Sequence, residues 1–296
     1  MVSIWFSIFK YWHYVHLISF HILKSWFKYI LSHSIFVSFC AFGLTFQTFL
    51  LFKLPIVIPV CWLVFFLTLG AYNLYWIVSK WTFKKGHANF SDYVIHFILL
   101  VLSAVVAIDY LWGMPYLTPY ILIGGVLTSL YTLLISPFSF LPDSNRFGFI
   151  KTILLAITWS FVTIFLPCHQ FLQSHFSAVM MLFLTRFIFV LFLCIIFDSR
   201  DIAKNRLQHL HSLATDVMPK TLTIMMFLFL IAYIFLLSKF GFVFQDARQV
   251  LVLGCSGVFS FLLYFFTFKK RSYFFYYFIV DGLMLFSAFA SYLLTI

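Results

Sequence analysis

The feature that most constrains the fold is a succession of apolar stretches, each about as long as the hydrocarbon core of a membrane is thick. A transmembrane helix needs roughly 20 mostly apolar residues. Nine segments come close to this requirement, near 34–52, 55–78, 93–112, 116–136, 149–166, 176–197, 221–237, 248–268 and 273–295. We therefore predict an all-α fold, a polytopic membrane protein with nine transmembrane helices across 34–296.

Composition agrees with a membrane protein. Only 9% of the 296 residues are charged, against about 25% in a typical soluble domain. The formal net charge of +11 is expected of cytoplasmic loops that face anionic lipid. We therefore expect membrane lipid, and no nucleic acid, as a partner. The five cysteines lack C-x-x-C spacing, which is typical of small buried side chains.

Prolines and basic residues support the count of nine. Five prolines fall at breaks between the apolar segments, where helices start or stop: Pro55, Pro115, Pro137, Pro167 and Pro219. With a cytoplasmic N-terminus, fifteen of the nineteen Lys and Arg residues lie on the cytoplasmic side, as the positive-inside rule requires. We therefore expect an integral protein of a bacterial inner membrane, with its C-terminus on the opposite face.

The first 33 residues differ from the rest of the chain. Aromatic residues such as Trp5 and Phe9 alternate there with histidines and with basic residues such as Lys10. This pattern predicts an amphipathic helix in the cytoplasmic interface, and it makes 1–33 a segment separate from the transmembrane domain. The alternative is a tenth, weakly hydrophobic span, which would place the N-terminus outside.

Three charged residues fall within or at the edge of the apolar segments: Asp109, Arg186 and Asp281. Charged side chains are costly in hydrocarbon and usually face a partner or a cavity. One interpretation is a structural salt bridge between Arg186 and one of the two aspartates. The other interpretation is that these residues line a polar cavity.

A charged stretch follows the sixth apolar segment directly, and it reads CIIFDSRDIAKNRLQHLHSL from 194 to 213. If the helix continues through it, Asp198, Asp201 and Asn205 share one face. Paired carboxylates are ligands that Mg²⁺ uses together with substrate phosphates, and Arg200 and Lys204 are placed to contact a phosphate. Spacing alone is equally compatible with a solvated loop that internal ion pairs hold together.

The segment FDSRDIAKNRLQHLHSL resembles the second aspartate-rich motif of the UbiA superfamily of intramembrane prenyltransferases, D-x-R-D-x-x-x-D-x-x-x-G-x-x-T-L. Asp198, Arg200 and Asp201 match its beginning. Asn205 stands where the motif has its last Asp, and His209 replaces the Gly.

Two further segments extend this resemblance to most of the chain. Segment 130–167 is similar to the family's middle section, with matching positions at Tyr131, Arg146, Lys151 and Trp159. Segment 70–85, GAYNLYWIVSKWTFKK, lies where the family carries N-D-x-x-D-x-x-x-D. Asn73 matches the leading Asn, whereas the Asp positions hold Leu74, Ile77 and Trp81.

The resemblance implies a funnel of nine helices with a lipid-accessible cavity, in which Mg²⁺ held by the aspartate motifs binds a prenyl diphosphate. Asp198 and Asp201 would be the metal ligands and, together with Asn73, the catalytic residues. The implied substrate-binding residues are Lys80, Lys84, Tyr131, Arg146, Lys151, Arg200, Lys204 and Asn205. A lipophilic acceptor would take the prenyl group.

These observations leave three functions open. The first is a divergent prenyltransferase, in which basic residues replace the missing aspartates of the first motif as diphosphate ligands. The second is a non-catalytic protein that keeps the funnel and binds an isoprenoid or lipid phosphate, or serves as a membrane subunit of a larger complex. The third is a transporter unrelated to the family, with the charges of the apolar segments along its pathway.

Overall fold

The computed structural model describes residues 26–83, 90–135, 148–202, 212–244, 246–269 and 271–295. Side chains are described in these ranges except at 80–83, 90–92, 134–135, 148 and 242–244. All regular secondary structure within the described residues is helical, and no strand occurs among them. The predicted all-α class is therefore confirmed.

The helices of the described residues follow one another closely along the chain. They are α1 Trp26–Ser32, α2 Ile35–Leu51, α3 Ile58–Phe83, α4 Phe90–Gly113, α5 Thr118–Ile135, α6 Gly148–Phe165, α7 Phe176–Arg200, α8 Leu213–Asp216, α9 Pro219–Phe244, α10 Ala247–Phe266 and α11 Asp281–Leu293. A 3₁₀ turn at Pro115–Leu117 precedes α5, and a π-helical turn at Phe275–Val280 precedes α11. The longer helices overlap the nine predicted apolar segments in order, with ends that differ by up to seven residues when the π turn is counted with α11.

Prolines mark helix boundaries as predicted. Pro115 opens the 3₁₀ turn before α5, and Pro219 is the first residue of α9. Pro55 lies in the non-helical stretch before α3, and Pro167 follows the end of α6. Proline lacks the N–H that a helix interior needs, which explains these positions. Pro137 lies outside the described residues.

Seven helical units in the described part of the chain are long and apolar enough to cross a membrane. They are α3, α4, α5, α7, α9, α10 and the unit formed by the π turn with α11. The pair α1 and α2 meets the same criterion only as one bent unit, and α6 is apolar but shorter. The helices are those of an integral membrane protein. The count of nine spans and the side on which each terminus lies stay predictions.

The predicted N-terminal amphipathic segment lies mostly outside the described residues, and only its last part forms α1. α1 is bent by 67° against α2, and Ser34 between them has a left-handed φ of 63°. The Phe27 ring packs on Phe278, with 5.0 Å between the ring centroids. The end of the segment therefore contacts the π turn, while the interfacial position of the rest stays a prediction.

Helices α2 and α7 form the centre of the fold. α2 packs against α3, α6 and α11, and α7 packs against α6, α9 and α10. A Cβ atom at Gly43 would lie 3.0 Å from a methyl group of Leu285, so glycine allows α2 and α11 to approach closely. α4 and α5 expose apolar side chains such as Val105 and Leu122, as expected of helices that face lipid.

Arg186 lies in this centre and is bound by neutral groups. Its guanidinium donates hydrogen bonds to the carbonyl of Leu44 at 3.0 Å, to the carbonyl of Thr163 at 3.3 Å and to Oε1 of Gln47 at 3.1 Å. It also donates to the hydroxyl of Thr48. Arg186 is only 4% exposed, so these bonds replace the water that a charged group would otherwise need.

The predicted salt bridge of Arg186 is therefore wrong for the described residues, where no carboxylate lies within 4.0 Å of its guanidinium. Asp109 is exposed on the outer side of α4, and Asp281 lines a separate cavity described below. The arginine is instead joined to α11 through Gln47, whose Nε2 donates to the hydroxyl of Ser287 at 2.8 Å. This buried polar network ties α2, α6, α7 and α11 together.

Candidate functional site

The charged stretch after the sixth apolar segment begins inside α7 and leaves it at Asp201. α7 ends at Arg200, and Asp201 caps it with φ −93° and ψ 6°. The Asp201 N–H donates to the carbonyl of Asp198, three residues earlier, at 3.2 Å. Bonds of this spacing belong to 3₁₀ turns, whereas an α-helix bonds residues that are four apart. A shared helix face for Asp198, Asp201 and Asn205 requires one helix through the whole stretch, and α7 ends before Asp201. Lys204 and Asn205 themselves lie outside the described residues.

A cavity of about 330 Å³ lies at this end of α7, and we call it the polar chamber. Side chains from α3, α5, α6, α7 and α11 surround it. Its lining residues are Tyr72, Tyr75, Trp76, Ser79, Tyr131, Lys151, Thr152, Leu155, Trp159, Val190, Leu193, Cys194, Phe197, Asp198, Arg200, Asp201, Ser212, Tyr277, Asp281 and Met284. The chamber therefore brings together residues that are far apart in the chain, from Tyr72 to Met284.

The Asp198 carboxylate of the polar chamber has a defined hydrogen-bond donor and a nearby cation. Thr152 donates its hydroxyl hydrogen bond to Oδ2 of Asp198 at 2.6 Å. Lys151, the residue before Thr152, lies near enough to Asp198 for coulombic attraction. These contacts place a cation and a hydroxyl from the start of α6 beside the end of α7.

Arg200 is held in the polar chamber by a carboxylate and by aromatic rings. It donates from Nε to Oδ1 of Asp201 at 2.9 Å and from Nη2 to Oδ2 at 2.6 Å. Its guanidinium carbon lies 5.2 Å from the ring centroid of Phe197, 5.4 Å from that of Tyr276 and 5.0 Å from that of Tyr277. Forked hydrogen bonds and cation–π contacts both fix the orientation of a guanidinium.

A second cavity of about 300 Å³ adjoins the first, and we call it the apolar chamber. It is lined by Ala41, Leu67, Thr68, Ala71, Tyr72, Leu74, Tyr75, Ile121, Gly124, Gly125, Thr128, Ser129, Tyr131, Thr132, Leu155, Thr158, Trp159, Val162, Thr163 and Leu166. Five residues line both chambers, namely Tyr72, Tyr75, Tyr131, Leu155 and Trp159. The apolar chamber thus extends from the polar one along α3, α5 and α6, and it carries no charged side chain in its lining.

Glycine makes room in the apolar chamber. A Cβ atom built on Gly125 would meet no atom within 4 Å, whereas one on Gly124 would lie 3.2 Å from a methyl group of Val162. Gly125 is six residues before Tyr131, so it lies about 9 Å from the shared residues along α5. Gly125 lines the chamber, so a larger side chain at this position would have open space beside the lining.

The structure brings five of the sequence-predicted site residues to the polar chamber: Tyr131, Lys151, Asp198, Arg200 and Asp201. The lining does not include Asn73. The side chains of Lys80, Lys84, Arg146, Lys204 and Asn205 lie outside what the structure describes. The two distant parts of the chain that end at Tyr75 and begin at Phe197 meet over this chamber.

Asn73 is buried beside α4 instead of facing the chamber. Its Oδ1 lies 2.6 Å from Nδ1 of His96, and its Nδ2 donates to the carbonyl of Leu69 at 2.7 Å. Neighbouring residues on a helix point about 100° apart. Since Tyr72 faces the chamber, Asn73 faces the adjacent helix.

Sequence reasoning missed several lining residues. Thr152 and Tyr277 carry no motif that would identify them in advance. The α3 residues Tyr72, Tyr75 and Ser79 follow i, i+3, i+7 spacing, which places them on one helix face, and this signal was present in the sequence. Asp281 was considered for a polar cavity as well as for a salt bridge, and the structure places it in the chamber lining.

The polar chamber has limited means to hold a metal ion. Among the described residues there is no group of three or more His, Cys, Asp or Glu side chains that is arranged for metal binding. Mg²⁺ often uses only one or two carboxylates and completes its shell with water and substrate phosphate. Both oxygens of Asp201 accept hydrogen bonds from Arg200, which leaves Asp198 as the better candidate ligand.

Comparison of the chain with known protein families, with curated proteins and with solved structures finds no match.

Proposed function

We propose that this chain is a UbiA-like membrane protein that binds a prenyl diphosphate and transfers its prenyl group to a lipophilic acceptor. The observation that carries the proposal is the junction of the two chambers through five shared residues. A prenyl diphosphate has a charged head and a long apolar tail. The paired chambers have the same division, with the head in the polar chamber and the tail in the apolar one.

The diphosphate head is assigned to the end of the polar chamber that carries cations. Arg200 and Lys151 are its described basic residues, and both are suited to phosphate oxygens. Asp201 orients the Arg200 guanidinium through two hydrogen bonds. The hydroxyl groups of Tyr75, Tyr131 and Ser79 lie in the same lining and supply further hydrogen-bond donors.

A magnesium ion would be held by Asp198, which Thr152 positions through its hydroxyl. Bound there, the ion would supply positive charge to the diphosphate as it leaves. The polar chamber needs this charge, because its described lining has three carboxylates and only two cations. Lys80, Lys84 and Arg146 are expected to bind the diphosphate in place of the missing metal. Their side chains are not described, and this role stays part of the proposal.

A second candidate function is a non-catalytic protein that binds the same ligand. It is favoured by the hydrogen bonds that occupy both Asp201 oxygens and by the apolar residues Leu74 and Ile77 in the first motif. The transporter alternative is weaker, since the three charges it relies on lie apart: Arg186 is buried in the helical centre, Asp109 is exposed, and Asp281 lines the polar chamber.

The test uses the full chain in lipid nanodiscs with geranylgeranyl diphosphate as the probe. Calorimetry should give an affinity at least about tenfold tighter than for geranylgeraniol or inorganic pyrophosphate, a difference of about 1.4 kcal/mol. With Mg²⁺ and a membrane lipid extract as the source of acceptor, pyrophosphate should be released. Binding without release would favour the non-catalytic candidate, and absence of binding would refute both.

A variant of Asp198 tests, in the same assay, whether this residue holds Mg²⁺. Asp198→Asn keeps the shape of the side chain but removes its charge, so the effect of Mg²⁺ on probe affinity should disappear. Asp109→Asn is the matched control, because Asp109 is exposed on α4 and lines neither chamber. An Asp198→Asn protein that still responds to Mg²⁺ as the wild type does would contradict the assignment.

A further inference from the structure

Asp281 is the one carboxylate of the polar chamber to which no described side chain donates a hydrogen bond. Asp198 accepts from Thr152, and Asp201 accepts from Arg200. Asp281 is 7% exposed and begins α11, in a unit apolar enough to cross the membrane. A carboxylate at such depth is costly unless something binds it. Arg200 lies near enough to attract it, but the described hydrogen bonds of Arg200 go to Asp201, so the Asp281 carboxylate can accept a hydrogen bond from a ligand.

The backbone around Asp281 is held firmly by its neighbours. The π turn at Phe275–Val280 ends at this residue, whose N–H bonds to the carbonyls of Tyr276 and Phe278. The thiol of Cys40 on α2 donates to the Asp281 carbonyl at 3.3 Å. π-helical turns are rare and are frequent at functional sites. The backbone that carries the carboxylate is thus fixed on the side of the chamber that α11 forms.

The surroundings of Asp281 select the chemistry of that ligand. Tyr277 and Met284 lie on the same face of its helix, and Leu193 and Cys194 of α7 line the same chamber. A carboxylate repels a diphosphate and accepts hydrogen bonds. Its partner is therefore a hydrogen-bond donor attached to an apolar body.

We propose that Asp281 binds the hydroxyl group of the lipophilic acceptor. This inference rests on the proposed function, and it adds where the second substrate lies. During transfer the bond from C1 of the prenyl chain to the diphosphate oxygen breaks, and the electron pair leaves with pyrophosphate. The acceptor oxygen forms the new bond to C1, and its proton passes to the Asp281 carboxylate.

The test compares two probes that differ by a single hydrogen-bond donor. 4-Octylphenol has a hydroxyl group, and 4-octylanisole carries a methyl ether in its place. Binding of each is measured by calorimetry on the full chain in nanodiscs loaded with geranylgeranyl diphosphate. The wild type should prefer the phenol by about tenfold or more, as expected for a hydrogen bond to a charged group.

Two variants decide the role of the carboxylate. Asp281→Leu should bind both probes equally, and Asp281→Asn should keep only part of the preference, because its amide oxygen is an uncharged acceptor. Asp109→Asn is the control and should behave as the wild type. An unchanged preference for the phenol in Asp281→Leu, or no preference in the wild type, would overturn the inference.

The affinity for geranylgeranyl diphosphate separates this inference from the proposed function. Asp281→Asn should bind that probe as tightly as the wild type or more tightly, since it removes a negative charge from the neighbourhood of Arg200. If the wild type fails to bind the diphosphate, the proposed function fails. If the diphosphate binds and the phenol preference does not depend on Asp281, only the acceptor site fails.

Discussion

Arg200 donates hydrogen bonds to both carboxylate oxygens of Asp201, the next residue in the chain. In the motif that the sequence resembles, both aspartates are metal ligands. Here one of them orients a guanidinium, which three aromatic rings also contact. The polar chamber therefore relies on a fixed cation where a second metal-bound carboxylate was expected.

The fixed guanidinium leads to the first prediction. Arg200→Lys keeps the charge but loses the planar fork, so the affinity for geranylgeranyl diphosphate should fall about tenfold, or about 1.4 kcal/mol. Calorimetry measures this change. Arg271→Lys is the matched control, because Arg271 also lies over an aromatic ring and is absent from the chamber lining. Equal affinities for the two variants would contradict the assigned role.

The empty space beside Gly125 predicts a change in tail selectivity. Gly125→Phe should fill the apolar chamber about 9 Å beyond the shared residues. Affinity for geranylgeranyl diphosphate should then fall by about tenfold or more, because each apolar CH₂ excluded from the chamber forgoes about 0.8 kcal/mol. Geranyl diphosphate, with a shorter tail, should bind nearly unchanged.

Gly113→Phe is the control for this substitution. A Cβ atom at Gly113 also meets nothing within 4 Å, and the residue lies at the end of α4 outside both chamber linings. The two tail lengths are compared by calorimetry in both variants. Equal losses for the short and the long diphosphate in Gly125→Phe would show that the apolar chamber does not hold the tail.

The contact between Asn73 and His96 predicts a structural role for Asn73. Asn73→Ala should lower the free energy of unfolding by about 1–3 kcal/mol, because it leaves buried partners without a hydrogen bond. Probe affinity of the folded protein should change less than the stability does. A double-mutant cycle with His96→Ala, measured by SDS unfolding in mixed micelles, would reveal the coupling. Loss of binding with unchanged stability would favour the catalytic role that the resemblance implies.

The neutral partners of Arg186 lead to the fourth prediction. Arg186→Met should cost at least about 2 kcal/mol of stability, since it removes the donor from several buried acceptors. Arg248→Met is the matched control, because Arg248 is exposed at the start of α10. Both are compared by unfolding in mixed micelles. If Arg186→Met were as stable as the control but had altered solute flux in liposomes, the transporter alternative would be favoured.

Apolar segment length and prolines predicted the helices well, because apolar length and a missing N–H act locally. The end of α7 was harder to predict. α7 ends at Arg200 and Asp201 caps it, whereas apolar length alone does not mark the residue at which a helix ends. The two hydrogen bonds from Arg200 to Asp201 depend on side-chain positions that spacing does not give.

The sequence also did not predict the direction in which each polar side chain points. Asn73 matched a motif, but its neighbour Tyr72 faces the chamber, and about 100° separates the two side chains. For Arg186 the sequence left two interpretations open, a salt bridge and a polar cavity. Arg186 binds Gln47 and backbone carbonyls of α2 and α6 instead, and only the packed structure shows which groups come within its reach. Helical spacing does place the lining residues Tyr72, Tyr75 and Ser79 of α3 on one face, but only the structure shows that this face lines the chamber.

One ligand that occupies both chambers can be located by photo-crosslinking. The probe is a geranylgeranyl diphosphate analogue that carries a diazirine at the end of its tail, and mass spectrometry identifies the labelled peptides. Labels are expected on apolar-chamber residues of α5 and α6 such as Ile121 and Val162, and they should be lost when unmodified geranylgeranyl diphosphate competes. Labels confined to lipid-exposed residues such as Val105, unaffected by the competitor, would contradict this location of the ligand.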